Sequence, residues 1–146
     1  MRSAPLNRKT IMQFVRYGCV GVINTVLTLG VILVCKDLLC INEWVSNAVG
    51  YIVGFINSFV WNKLWVFKSR NGMAREMAAF CMGFIICYCI QFIVTWVLSE
   101  YTWLKDSVFD FRGFVLSGYG IATLIGMVVY TIANFVYNKA ITFNQK

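Results

Sequence analysis

Residues 50–67 read Gly50-Tyr-Ile-Val-Gly-Phe-Ile-Asn-Ser-Phe-Val-Trp-Asn-Lys-Leu-Trp-Val-Phe67, and the chain uses this pattern twice. Displaced by 76 positions stands Gly126-Met-Val-Val-Tyr-Thr-Ile-Ala-Asn-Phe-Val-Tyr-Asn-Lys-Ala-Ile-Thr-Phe143, with identities at Gly50/Gly126, Ile56/Ile132, Phe59/Phe135, Val60/Val136, Asn62/Asn138, Lys63/Lys139 and Phe67/Phe143. Each copy is an apolar run that closes on an aromatic residue, Asn, Lys and a final Phe. Two such runs read as membrane helices leaving lipid at the same surface. Because the polar Asn-Lys pair recurs in register, duplication explains the match better than chance likeness between lipid-facing helices.

Composition places the rest of the chain in the same solvent. Of 146 residues 60% are hydrophobic and 13% charged, more apolar side chain than a water-soluble core of this size can hide. Four runs approach the roughly 20 residues that a hydrocarbon core of about 30 Å requires: residues 11–34, 44–67, 77–98 and 114–137. Unpaired backbone groups are not left in lipid, so the runs are predicted to be helices. Thr10 and Gln13 are spaced as a capping box that would start the first. The expected fold is all-α and integral to the membrane: one domain over residues 1–146, with four transmembrane helices as two parallel two-helix repeats, about 11–67 and 77–143.

Charge sets the expected orientation. The N-terminal segment, the middle loop and the tail carry Arg2, Arg8, Lys9, Arg16, Lys63, Lys68, Arg70, Arg75, Lys139 and Lys146 against Glu76 alone. The other two loops carry Lys36, Lys105 and Arg112 against Asp37, Glu43, Glu100, Asp106 and Asp110. By the positive-inside rule both termini and the middle loop are expected on the cytoplasmic side. The net charge of +7 therefore reads as topology, and nucleic acid is not an expected partner. Same-sense repeats are expected to relate by an axis along the membrane normal.

Several chemistries are excluded at the outset. The chain has no histidine and no Asp or Glu within a predicted span, so no carboxylate is placed to carry a proton through the bilayer. It also lacks a phosphate-binding glycine loop, a nucleophile–base pair and a metal-ligand cluster. No enzyme, cofactor or metal site is expected. Four-span proton-coupled drug exporters rely on a first-span glutamate, which this sequence lacks. Cys35 and Cys40 flank an external loop, but spacing alone does not make a bridge, and no cleavable signal is evident.

What remains is a set of cations and amides. Arg16, Lys63 and Lys139 sit about a turn inside the cytoplasmic ends of their spans. Each reads either as a snorkelling side chain or as part of a site for a lipid phosphate, where arginine grips bidentately and lysine acts as a point charge. Asn24, Asn57, Asn62, Asn134 and Asn138 read either as interhelical glue or as partners for sugar hydroxyls and phosphate oxygens. Small residues at four-residue spacing (Ser46, Gly50, Gly54, Ser58; Gly118, Ala122, Gly126) suit close helix packing. Trp61, Trp65, Tyr137, Trp44, Trp103 and Tyr119 fit interfacial belts, with Trp65 a candidate for stacking on sugar. Gln91 reads equally as a helix contact or a ligand.

Three motifs together resemble the GtrA-like family of small four-span proteins: Phe14-Val-Arg-Tyr-Gly-Cys-Val-Gly-Val-Ile-Asn-Thr25, Asn57-Ser-Phe-Val-Trp-Asn-Lys-Leu-Trp-Val-Phe67 and Asn134-Phe-Val-Tyr-Asn-Lys-Ala-Ile-Thr-Phe143. The resemblance implies translocation of an undecaprenyl-phosphate-linked monosaccharide across a bacterial cytoplasmic membrane, supplying a separate glycosyltransferase that modifies surface polysaccharide. Carried over, the family arginine falls on Arg16, its Asn-Thr on Asn24 and Thr25, and its basic endings on Lys63 and Lys139. The second copy has Ile141-Thr142 where Trp65-Val66 stand in the first. Lipid-linked sugar, membrane lipids and a membrane glycosyltransferase are the candidate partners. The alternative is a non-transporting platform that anchors that transferase. Four spans make a thin wall around a bulky head, which leaves room for a homo-oligomer with Gly50-x-x-x-Gly54 as a candidate seam.

Overall fold

The computed structural model describes residues 8–103, 107–111 and 114–144. Helix α1 (Arg8–Leu33) runs into a π turn, Val34–Leu38. Helix α2 (Glu43–Trp61) starts where Asn42 caps it, accepting the Trp44 amide at 2.9 Å, and Glu43 sits favourably in its positive first turn. It closes in a π turn, Asn62–Val66, and α3 (Met73–Tyr101) follows. A short antiparallel hairpin, β1 (Val108–Phe111) with β2 (Phe114–Ser117), leads into α4 (Gly118–Tyr137). Ser117 caps α4 by accepting the Gly120 amide, and α4 also ends in a π turn, Asn138–Thr142.

The chain is a multi-pass membrane protein. Among the described residues, three stretches are long and apolar enough to cross a bilayer: Arg8–Leu38, Met73–Tyr101 and Gly118–Thr142. Their large apolar side chains lie open (Val22 and Val26 are each 67% exposed), as lipid-facing surface requires. Helix α2 with its turn is not among the three, because Ser46, Asn47, Asn57 and Ser58 interrupt its apolar run. Those interruptions are the residues that pack and bond inside its own unit.

Several boundaries differ from the sequence reading. The expected capping box is absent, because Thr10 already lies inside α1. The fourth helix begins at Gly118 and not at residue 114. The two strands before it, Val-Phe-Asp-Phe and Phe-Val-Leu-Ser, hold two valines and three phenylalanines, types that favour a strand. The first and fourth helices run past their predicted ends through their π turns, to Leu38 and Thr142, α3 runs on to Tyr101 without one, and the second ends at Val66, one residue short of its predicted end. Cys35 and Cys40 are free thiols.

The described chain forms two compact units, one up to Asn71 and the other Gly72–Asn144. In the first, α1 packs on α2 along the small-residue stripe. A Cβ on Gly50 would strike Ile32, and one on Gly54 would strike the Thr28 hydroxyl. Gly50-x-x-x-Gly54 is therefore buried against α1 and is not a free seam for a second copy, since the close approach it allows is already used. In the second unit α3 packs on α4 in the same way. Gly126 makes room for Thr95, Gly83 for the Tyr137 ring, and Ala122 is fully buried.

Candidate functional site

Start from the spacing in α1. Lys9, Gln13 and Arg16 stand at i, i+4 and i+7, so they share one helix face. The end of α2 delivers Val66, Phe67 and Lys68 opposite that face. Together with Met12 these residues line an open cleft of about 310 Å³. Three of its lining residues are cationic, and among the described residues no acidic side chain lines it. Gln13 Oε1 is buried there without a hydrogen-bond partner.

The π turn explains how Lys68 arrives. The Phe67 amide bonds Asn62 O and the Ser69 amide bonds Lys63 O, each at 2.9 Å. Closing that second bond puts Lys68 at φ 53°, in the left-handed region. Glycine is the usual occupant of such a helix end, because an L side chain there costs about 1–2 kcal/mol. Here a lysine takes the position and its charge reaches the cleft. Cys40 repeats the geometry after the first π turn, at φ 52°, with Ile41 N bonded to Cys35 O.

Arg16 is half-buried, with its guanidinium carbon 5.6 Å from the centre of the Trp65 ring. This cation–π contact fixes the stem and leaves the planar fork free to meet an anion. The Tyr17 and Phe67 rings meet at 6.4 Å and close the apolar side. Trp61 stands edge-on to Trp65 at 6.2 Å.

Lys63 goes elsewhere. It is only 7% exposed, and its ammonium donates to Asn71 O at 2.8 Å, tying the loop back onto the helix end. It is not among the cleft residues. Lys139 belongs to the second unit, where it is half-buried with its ammonium 5.9 Å from the centre of the Phe135 ring.

The amides form short ladders inside each unit. In the first, Asn57 Nδ2 donates to Asn24 Oδ1 at 3.3 Å, across α2 and α1. Asn62, 1% exposed, donates to Ser58 O at 2.8 Å, while its own Oδ1 is buried without a partner. In the second, Asn138 Nδ2 donates to Asn134 Oδ1 at 3.1 Å and Asn134 Nδ2 to the Tyr130 hydroxyl at 3.3 Å. Asn138 is fully buried, and its Oδ1, like Thr142 Oγ1 one turn on, lacks a partner. Each buried acceptor left unmade costs about 1–3 kcal/mol, and such groups collect where a ligand's donors are to be met.

The structure thus joins Arg16 with Trp65, Asn24 with Asn57, and Asn134 with Asn138. Sequence reading missed Lys9, Gln13 and Lys68 as neighbours of Arg16, although the i, i+4, i+7 spacing of the first two was the available signal. Arrayed this way, the first unit can hold an anion against three cations beside an aromatic wall. Both units hold unspent amide acceptors within their helical cores. Residues 16–143 match the family model described as GtrA/DPMS, transmembrane domain.

Proposed function

The chain belongs to the GtrA/DPMS transmembrane-domain family, and from that premise we propose that it is a flippase for a polyprenyl-phosphate-linked monosaccharide. The basic cleft at Arg16 carries this reading. It is anion-selective by composition, walled by Met12, Val66 and Phe67 on its apolar side, and open, as a phosphate still joined to a lipid tail requires. Arg16 takes two phosphate oxygens at once, and Lys9 and Lys68 add point charges. Gln13 Oε1 accepts a sugar hydroxyl, and Trp65, 37% exposed, offers a face to the ring. Lys63 acts indirectly, by holding the loop at Asn71. Lys139 supplies the matching cation of the second unit.

In this reading α2 with its π turn is the fourth span, and the two units are parallel repeats of one duplicated helix pair. The π turns at Asn62 and Asn138, each closed by the amide of the following Phe at 2.9 and 2.8 Å, support the duplication. In the same reading the cleft faces the cytoplasm at a bacterial inner membrane with both termini inside, an orientation that the charge distribution supports. The phosphate is received there and the sugar crosses along the amide ladders, whose unpartnered acceptors replace water. The polyprenyl tail stays in lipid throughout. No proton is needed, because one negative charge moving outward across an inside-negative potential gains about 2.3 kcal/mol per 100 mV. A glycosyltransferase consuming the lipid outside keeps the flow one-way.

The test is transport of a labelled polyprenyl-phosphate hexose in proteoliposomes. Arg16→Ala is expected to slow it at least tenfold with the protein still folded. Wild-type rates in Arg16→Ala and Lys68→Ala alike would refute the site.

A further inference from the structure

A second cleft lies in the second unit, at the end of the α3–α4 pair next to the hairpin. It measures about 100 Å³ and is lined by Tyr88, Gln91, Phe92, Thr95, Tyr119 and Thr123. Thr95 stands six residues before the end of α3, about 9 Å along the axis, and Tyr119 is the second residue of α4. Thr95 is nine-tenths buried, yet its Oγ1 has no hydrogen-bond partner. The side-chain-free face of Gly126 lets that hydroxyl stand in the helix interface, since a Cβ there would strike it. The Thr123 hydroxyl, by contrast, is spent on Tyr119 O at 2.8 Å.

The chemistry of this lining is narrow. Among the described residues it offers hydroxyls, one amide and aromatic faces, and no charged side chain. An isolated charge in such a place would be costly, so it suits a neutral, hydroxyl-rich group and disfavours an ionised one. Phe92, Tyr88 and Tyr119 present the apolar surface on which the faces of a pyranose rest.

We propose that the Gln91–Thr95–Tyr119 cleft of the second unit receives the sugar of the transported lipid and selects for an uncharged monosaccharide. This rests on the flippase reading and adds to it a second station and a substrate class. Thr95 Oγ1 and Gln91 bond sugar hydroxyls, and Tyr119 covers the ring edge.

The test compares three lipids in proteoliposomes: bare polyprenyl phosphate, its neutral hexose and its hexuronic acid. The wild-type chain is expected to move the neutral hexose at least tenfold faster than the hexuronic acid. Thr95→Val is expected to slow the neutral hexose about tenfold while leaving the bare lipid unchanged, and Thr95→Ser to restore the rate. Equal slowing of both lipids by Thr95→Val, or no slowing of either, overturns the proposal. In parallel, a photoreactive neutral-hexose lipid is expected to label the peptide holding Gln91 and Thr95, and less so in Thr95→Val. Labelling without transport would sink the flippase reading and keep the sugar site; transport without that labelling would do the reverse.

Discussion

Replacing Lys68 by glycine separates the backbone from the charge at one position. Lys68 sits at φ 53°, where an L side chain costs about 1–2 kcal/mol. Glycine's greater freedom in the unfolded chain takes back about 0.5–1 kcal/mol, so Lys68→Gly should stabilise by about 0.5–1 kcal/mol. For a chain of this length that raises the unfolding midpoint by about 2 °C. The charge works the other way. An ammonium 5 Å from a phosphate would contribute about 3 kcal/mol at an effective dielectric of 20, but near only 1 kcal/mol at a membrane surface. Lys68 is exposed, so the lower figure governs, and affinity for a polyprenyl phospho-sugar should fall about fivefold. Cys40→Gly is the matched control: it shares the backbone geometry at φ 52° but does not line the cleft. It should gain the same stability at unchanged affinity. Thermal unfolding in detergent and lipid titration by native mass spectrometry read the two effects separately. If Lys68→Gly melts higher yet binds the lipid as tightly as the wild type, the cleft is not the phosphate site.

Four further substitutions bear on the framework. Gly54→Ala drives a Cβ into the Thr28 hydroxyl and should lower stability by about 1–3 kcal/mol, read as a lower melting temperature. Gly18→Ala, which meets nothing within 4 Å, should raise stability by up to about 1 kcal/mol. Lys63→Met removes the bond to Asn71 O; it should melt lower while the affinity of the surviving fold for lipid stays within twofold, where direct phosphate binding predicts a larger loss. Asn138→Leu severs the ladder to Asn134. It should cost about 0.6–1.7 kcal/mol of stability and slow sugar-lipid transport more than it slows the bare lipid.

Much of the helical framework was legible in the sequence because lipid leaves the backbone few choices. Apolar runs of membrane length have to pair their own amides, and the small-residue stripes of α2 and α4 announced where helices approach. The hairpin before α4 was hidden by hydropathy, which cannot tell an apolar strand from the first turn of an apolar helix. The candidate site was legible in part. Arg16, Trp65 and the asparagines were visible as polar residues in apolar company. The fate of Lys63 was not, because whether a lysine near a helix end meets a ligand or a carbonyl depends on how the following loop folds back. Lys68 stayed hidden for a related reason: only the left-handed turn brings it across to Arg16. Thr95 gave no signal beyond Gln91 one turn away, since its importance lies in a hydrogen bond it does not make.

Mass spectrometry of lipids retained by the gently purified protein, with Arg16→Gln beside it, tests the phosphate site most directly. The wild type should carry a polyprenyl phosphate bearing one uncharged sugar, and Arg16→Gln should lose it while keeping its bulk phospholipid. A wild type that retains only bulk phospholipid, or an Arg16→Gln variant that holds the phospho-sugar undiminished, would contradict the account.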